Sequence, residues 1–366
     1  MSLYANWRRN VIFGLIVIAL AAGIYYFYQT EQTVKLTRTS EIKLNAFAVI
    51  EDVCVYNKEI YVAGWKYDNS THPISHAVLM KLDNGGEVLW KKSWMKTGGT
   101  YAREVDCNED GIYVVEELES ESLLRYKYLT KYDLDGEVQW RINATNIGEI
   151  AVNDEYIFAD MNDSLIKLDG NGEVIWSRPV TGTSIFIYDD TVYVGGSSED
   201  DATGGSDAVV TAFDMDGNQL WSTRRASTRG DQVRDICATD EGVYIVGSGT
   251  KGWNFFFITK FSSSGEQIWD KKLDNTVNGT FSSLFSVNGI IYAAGVFGDS
   301  PSNFDALTSI INSDGSIAVS DVYNGSGNED YAYNVCSDGD RIYVVGTSVA
   351  SPPLMRQGIL LIYHYR

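Results

Sequence analysis

Four polar residues stand nine positions before a tyrosine that recurs through this sequence: Asp52 before Tyr61, Glu104 before Tyr113, Asp235 before Tyr244 and Asn334 before Tyr343. Arg103 and Arg234 stand alongside. Carboxylates and a carboxamide brought together can accept hydrogen bonds from neighbouring backbone, or hold a cation or polar ligand through their oxygens. A ligand site made of these six residues is the expectation, with hydrogen bonding between repeats as the competing use.

Other constellations offer less. Asp133-x-Asp135-Gly136 and Asp214-x-Asp216-Gly217 open like a calcium loop, but no Glu follows at the twelfth position and a strand comes next, so an Asp-capped turn is expected. His72 and His76 share one segment with no G-x-S-x-G elbow near them, which reads as a solvated loop. Three His and four Cys, without C-x-x-C or H-E-x-x-H, leave little material for a zinc or haem site, and no cofactor is expected. Cys54, Cys237 and Cys336 lie seven positions before the repeat tyrosine, where Phe186 and Phe285 stand in other units, so the position reads as core. Cys107 is one place out of register. Cys54 and Cys336 form the one pair that adjacent units would bring close.

These residues are positioned by a repeat of roughly 36 to 52 residues. One recurring piece is a short apolar strand: Ile60-Tyr61-Val62, Ile112-Tyr113-Val114, Tyr156-Ile157-Phe158, Val192-Tyr193-Val194, Val243-Tyr244-Ile245, Ile291-Tyr292-Ala293 and Ile342-Tyr343-Val344. A second apolar strand runs into a turn, and a third leaves that turn through Gly and reaches Trp90, Trp140, Trp176, Trp221 or Trp269; in the sixth unit Val319 replaces the Trp. A further strand precedes each tyrosine strand, so each unit supplies four strands, a to d. Four-stranded units at this spacing make the blades of a β-propeller, here seven-bladed and all-β. The seventh unit ends at Arg366 without its d strand, and Thr33–Arg38 is the spare strand that could close the ring. The tryptophans repeat with the blades and read as packing between neighbours. Trp65 and Trp253, beside b–c connections, read as freer to bind something.

The 29 Lys and Arg against 49 Asp and Glu give a net charge of -20, which excludes nucleic acid as a partner because no positive field exists to release its counterions. Residues 11–28 carry no charge and as a helix would reach about 27 Å, enough to span a bilayer. Arg8 and Arg9 before them and the aromatic run Tyr25–Tyr28 after them place residues 1–10 in the cytoplasm. A cleaved signal peptide competes, with Ala19-Leu20-Ala21 as its site. The expected organisation is a cytoplasmic 1–10, a membrane helix over 11–28, a linker and closing strand over 29–45 and an extracellular propeller over 46–366. Sequons at Asn69, Asn143, Asn162, Asn278 and Asn324 fall in b–c or d–a connections, which share one face of a propeller, and mark that face as a candidate for glycosylation. The b–c connections, such as Ser197 to Asp207 and Phe297 to Asp305, read as long loops, whereas the c–d turns are tight.

Repeats such as LDGNGEVIW (168–176) and YDLDGEVQW (132–140) resemble blades of bacterial and archaeal seven-bladed repeat propellers, and Trp-docked quinoprotein-type blades, over about residues 42 to 366. The resemblance implies the fold. Quinoprotein dehydrogenases are typically longer, with eight blades, and no set of their cofactor residues stands here. A membrane-anchored extracellular module that binds other surface proteins or copies of itself, without catalysis, is the expected function. One alternative is a subunit of a surface filament or layer with the apolar helix as its core: the plan resembles type IV pilins, although Arg9-Asn10-Val11 lacks the small residue usual before their cleavage site. Another is a quinoprotein- or lyase-like enzyme with its site at the propeller axis.

Overall fold

The computed structural model describes residues 35–45, 48–68, 74–96, 98–120, 124–180, 182–200, 205–225, 230–249, 256–273, 278–300, 303–325, 329–350 and 355–365. The proposed cytoplasmic and membrane segments, residues 1–28, lie outside them, as do Asn69, His72 and Trp253. Among the described residues no helix is long and apolar enough to cross a membrane.

The described residues form seven four-stranded antiparallel sheets. The innermost strands are Val49–Tyr56, Thr100–Asn108, Ile147–Val152, Ser184–Tyr188, Asp231–Thr239, Asn278–Val287 and Asp330–Ser337. Each packs beside the next, and the last packs beside the first, so the sheets close into a ring of blades around an axis. The core is correspondingly divided. Each of seven apolar clusters joins two adjacent blades, as where Tyr113, Val115 and Leu129 of the second blade meet Ile147, Ile157 and Ala159 of the third. Blades are thus held by their neighbours, since one twisted sheet cannot bury both faces alone.

The seventh blade is completed from the other end of the chain. Leu36–Leu44 pairs with Met355–Tyr365 from Leu36↔Tyr365 to Leu44↔Gly358, with one bulge between Arg38 and Ser40. Arg38 pairs with Asp321 of the sixth blade at 3.3 Å, and Glu41 accepts the Tyr323 hydroxyl at 3.0 Å. On the other side Ile42 lies over Gly86 of the first blade. The closing strand therefore seals an edge and touches both neighbouring blades.

Five tryptophans set the spacing between blades. Each indole N–H donates to a carbonyl in the c–d turn of the next blade: Trp90 to Leu134 (3.2 Å), Trp140 to Gly170 (3.1 Å), Trp176 to Met215 (3.0 Å), Trp221 to Ser263 (2.8 Å) and Trp269 to Ser313 (3.2 Å). Each ring covers that turn's glycine, so closely that a Cβ on Gly136, Gly172, Gly217, Gly265 or Gly315 would meet it. These glycines also have φ between 78° and 85°, where a side chain would strain the backbone. The lost sixth tryptophan follows from the closure. The seventh blade takes its outer strand from Leu36–Leu44 and has no c–d turn, so Val319 has none to cover.

The b–c connections differ from expectation. Ser197 to Asp200 pair with Ala208 to Gly205, and Phe297 pairs with Asp305, so these stretches extend the hairpins as strand. Alternating Ser, Gly and acidic residues disguised them as loops.

Candidate functional site

Six of the seven inner strands carry a β-bulge at the same place, as between Ile50 and Asp52, Ala102 and Glu104, and Val233 and Asp235. The residue after the bulge pairs opposite the middle strand one step beyond the repeat tyrosine's neighbour: Asp52↔Ala63, Glu104↔Val115, Asp235↔Val246, Asn334↔Val345. The positions named from sequence are thus equivalent around the axis. Ser184 and Ser283 fill the fourth and sixth.

The third position was missed by sequence reasoning. Phe158, and not Tyr156, pairs with Ala151 and lies 5.8 Å from Trp176, as the repeat tyrosines lie against their own tryptophans. Counting nine back from Phe158 gives Glu149. The signal was present, since Ile157-Phe158-Ala159 aligns with Ile60-Tyr61-Val62; a tyrosine two residues early drew the register away.

A cavity of about 360 Å³ runs along the axis, with Asp52, Glu149, Asp235, Ser283 and Asn334 on its wall. Several of these side chains fasten blades together. Asp52 accepts the amides of Val53 (2.7 Å) and, in the next blade, Val105 (2.6 Å). Asp235 accepts those of Ile236 (2.7 Å) and Leu284 (2.6 Å), and the Ser184 hydroxyl at 2.5 Å. Ser283 donates to Asn334 at 3.3 Å and accepts the amide of Val335 at 3.4 Å. Between the second and third blades the fastener moves two residues along: Asp106 accepts the amides of Cys107 (2.8 Å) and Val152 (2.6 Å). Glu104 is released from that duty and hydrogen-bonds Asp52.

Removal from water dominates the electrostatics. Burial pushes Asp52 and Asp106 up to about 7 against the pull of their amide donors, and pushes Asp235 up as well. Glu104 and Glu149 are raised well above the usual carboxylate range, first by burial and then by repulsion, from Asp52 on Glu104 and from Glu104 on Glu149.

Of the two arginines expected beside these acids, Arg103 is engaged by other carboxylates. Arg103 is the extra residue of its bulge and pairs with Glu51 (2.6 Å) and Glu117 (3.1 Å), its guanidinium over Tyr101. Arg234 occupies the same bulge position in its blade, with part of its side chain open to solvent and its guanidinium partly desolvated, which lowers its pKa. Arg103 is therefore spent on Glu51 and Glu117 and does not neutralise the axial acids.

Cys54 is bonded to Cys107, with Cα atoms 6.1 Å apart, and Cys336 is a free, buried thiol, as is Cys237. The expected Cys54–Cys336 pairing is thereby corrected. Cys107 is out of register because Asp106 holds the equivalent position, opposite Tyr113, and the first two inner strands are neighbours. Asp133 and Asp214 cap their own turns, Asp133 accepting the amides of Asp135 and Glu137 and Asp214 those of Asp216 and Asn218. Trp65 is buried against Tyr101 and donates to Glu51 at 2.8 Å, so it is packing and not a free platform. Asn143, Asn162 and Asn324 are exposed, although Asn143 lies within a strand and Asn278 begins one. The Asn162 side chain accepts the amides of Thr145 and Asn146, which brings a b–c turn and a d–a connection to one face.

A family model described as outer membrane protein assembly factor BamB matches residues 75–295. The regulatory protein FlaEY of Caulobacter vibrioides is 22% identical over 178 aligned residues, 39% of this chain and 19% of its own length, so the chain spans about a fifth of that curated relative. Two solved structures share the fold. A protein of unknown function from Dyadobacter fermentans is 13% identical with a TM-score of 0.56, over 90% of this chain and 99% of its own. The N-terminal domain of Nup159 is 8% identical with a TM-score of 0.53, over 91% and 97%.

Proposed function

The chain belongs to the outer membrane protein assembly factor BamB family, and on that premise we propose that it is a non-catalytic binding and assembly module: a seven-bladed propeller held at the cell surface by residues 11–28. The observation that carries the reading is the use made of the axial polar groups. Asp52, Asp235 and Ser283 each take an amide of the next blade, so side chains that could have done acid–base work are committed to holding a rigid ring. Rigidity suits a scaffold that presents preformed surfaces. The family description, an assembly factor, and the regulatory role in the name of the FlaEY relative favour the same class of work.

The orientation follows from the sequence. Arg8 and Arg9 keep the N-terminus inside and the propeller outside, and the exposed Asn143, Asn162 and Asn324 accord with an outward face. Surface biotinylation of intact cells with a membrane-impermeant reagent tests this placement. Labelling of propeller lysines without lysis is expected; labelling only after lysis would reject it.

A further inference from the structure

We infer that one sector of the propeller, on the face that carries the b–c and d–a connections of the seventh, first and second blades, is a site for a neutral oligosaccharide. The inference goes beyond the assembly reading and does not rest on it. Three observations lead there.

The first is a continuous run of aromatic rings. Tyr67 ends the middle strand of the first blade, while Tyr101 and Tyr331 each stand second in an inner strand, of the second and seventh blades. Tyr67 and Tyr101 meet Trp65 in T-shaped contacts, with centroids 5.0 and 5.4 Å away, and Tyr333 packs against the same cluster. Tyr331 lies nearly parallel to Tyr333, at 9° with centroids 6.0 Å apart, and Phe304 of the sixth blade meets Tyr331 at 6.2 Å. Buried Trp65 is the floor; Tyr67, 52% exposed, and the half-buried Tyr101, Tyr331 and Tyr333 keep surface open to solvent.

The second is that the repeat does not require these rings. Tyr101 and Tyr331 stand two places before the bulge residue, where the fifth and sixth blades have Gln232 and Thr280; Tyr333 is itself the bulge residue, where they have Arg234 and Ser282. Trp65 pairs with Val49, and the matching middle-strand places hold Glu117, Ser248, Val296 and Thr347. Blades form with small or polar side chains at these places. The outer-strand tryptophans recur because packing between blades needs them, whereas these rings gather in one sector.

The third is the polar chemistry beside the rings. Glu51 accepts the Trp65 indole at 2.8 Å and Arg103 at 2.6 Å through Oε1, and Arg103 donates to Glu117 through Nε at 3.1 Å. Glu51 Oε2, Arg103 Nη2 and the Tyr333 hydroxyl have no hydrogen-bond partner among the described residues. Charge is balanced here, Glu51, Glu117 and Glu329 standing against Arg103, Arg125 and Arg356, in a chain of net charge -20. An anion would meet the carboxylates, and a cation would meet the Arg103 guanidinium, 4.4 Å over the Tyr101 ring. A neutral ligand fits. Hexose rings lay C–H faces on aromatic side chains, and each hydroxyl both donates and accepts, which matches a free carboxylate oxygen, guanidinium nitrogen and phenol. A peptide added to a sheet would draw on main-chain pairing, and the free groups here are side-chain ends.

Purified full-length protein in mild detergent is applied to an array of neutral oligosaccharides of glucose, galactose, mannose and N-acetylhexosamines, with a proline-rich peptide alongside, and the best binder is titrated by calorimetry. Saturable binding of one oligosaccharide per chain is expected. Tyr67→Ala should weaken it by roughly tenfold and Tyr333→Phe, which removes only the hydroxyl, by about fivefold. Asp154→Asn, exposed at the a–b turn of the third blade, should leave it unchanged. Both tyrosine variants should melt within a few degrees of the parent, which separates loss of binding from loss of fold. No sugar bound, binding indifferent to both tyrosine substitutions, or the peptide bound through Tyr67 in place of any sugar overturns the site. The measurement uses the isolated protein, so its failure is distinct from failure of the assembly reading, which is decided on the native particle.

Discussion

The Trp140 indole of the second blade donates to the Gly170 carbonyl of the third at 3.1 Å, while its ring lies on the turn glycine Gly172 two residues further along. Lys131 reaches the same carbonyl at 3.0 Å. One acceptor at the tip of each turn thus fixes the distance between blades. Trp140→Ala should cost about 2–3 kcal/mol through lost packing and the loss of one of the two donors to the Gly170 carbonyl. Gly172→Ala, at φ 82° and within 3.3 Å of the indole, should cost about 1–2 kcal/mol. Denaturant titration of both variants measures these costs; two values near zero would remove the indole from its role.

Ring closure gives a second expectation. Deleting residues 30–40 removes the first part of the closing strand together with the Arg38–Asp321 pair, leaving the edge of Met355–Tyr365 partly open. Aggregation or a large drop in melting temperature is expected, and an unchanged melt by light scattering and calorimetry would contradict the closure.

The fold was legible in the sequence because its signals repeat: seven apolar strands, five tryptophans after glycine turns and a missing final strand each point to one ring, and an error in one blade is outvoted by the others. The axial site was legible only in part. Asp52, Glu104, Asp235 and Asn334 were found by counting from the tyrosine, but Glu149 was lost where Phe158 replaces it and Tyr156 stands close by. Arg103 was misread for a different reason: it is the extra residue of a bulge and pairs with Glu51 and Glu117, and nothing in the composition marks a bulge. The Cys54–Cys107 bond escaped because it links two non-equivalent positions.

That bond is directly countable. Denatured, unreduced protein should react with a thiol reagent at Cys237 and Cys336 alone, and reduction should expose Cys54 and Cys107 as well. Cys54→Ser should lower stability by about 2–4 kcal/mol under oxidising conditions. Four reactive thiols before reduction would reject the pairing.

The axial carboxylates make stability depend on pH with a definite sign. Burial and repulsion raise Glu149 above its unfolded value, so the folded state holds that proton more tightly, and stability is lost as pH rises from the ordinary glutamate range toward the raised value. Glu149→Gln should therefore melt higher than the parent at pH 8, by a few degrees, with the gain fading as pH falls into the ordinary glutamate range. Asp52, raised to about 7, is left unchanged by this substitution and contributes in the same direction. A gain that is absent at pH 8, or equal at both pH values, would contradict the assignment of an unneutralised carboxylate.

The assembly role is tested most directly by the size of the native particle. Membranes from the native host, extracted in mild detergent after brief crosslinking, should release this 366-residue chain in a stoichiometric complex with a second surface protein or with copies of itself, and variants in the exposed propeller face should shrink that particle while leaving the melt unchanged. A chain recovered only as a lone monomer, crosslinked or not, would contradict the assembly account.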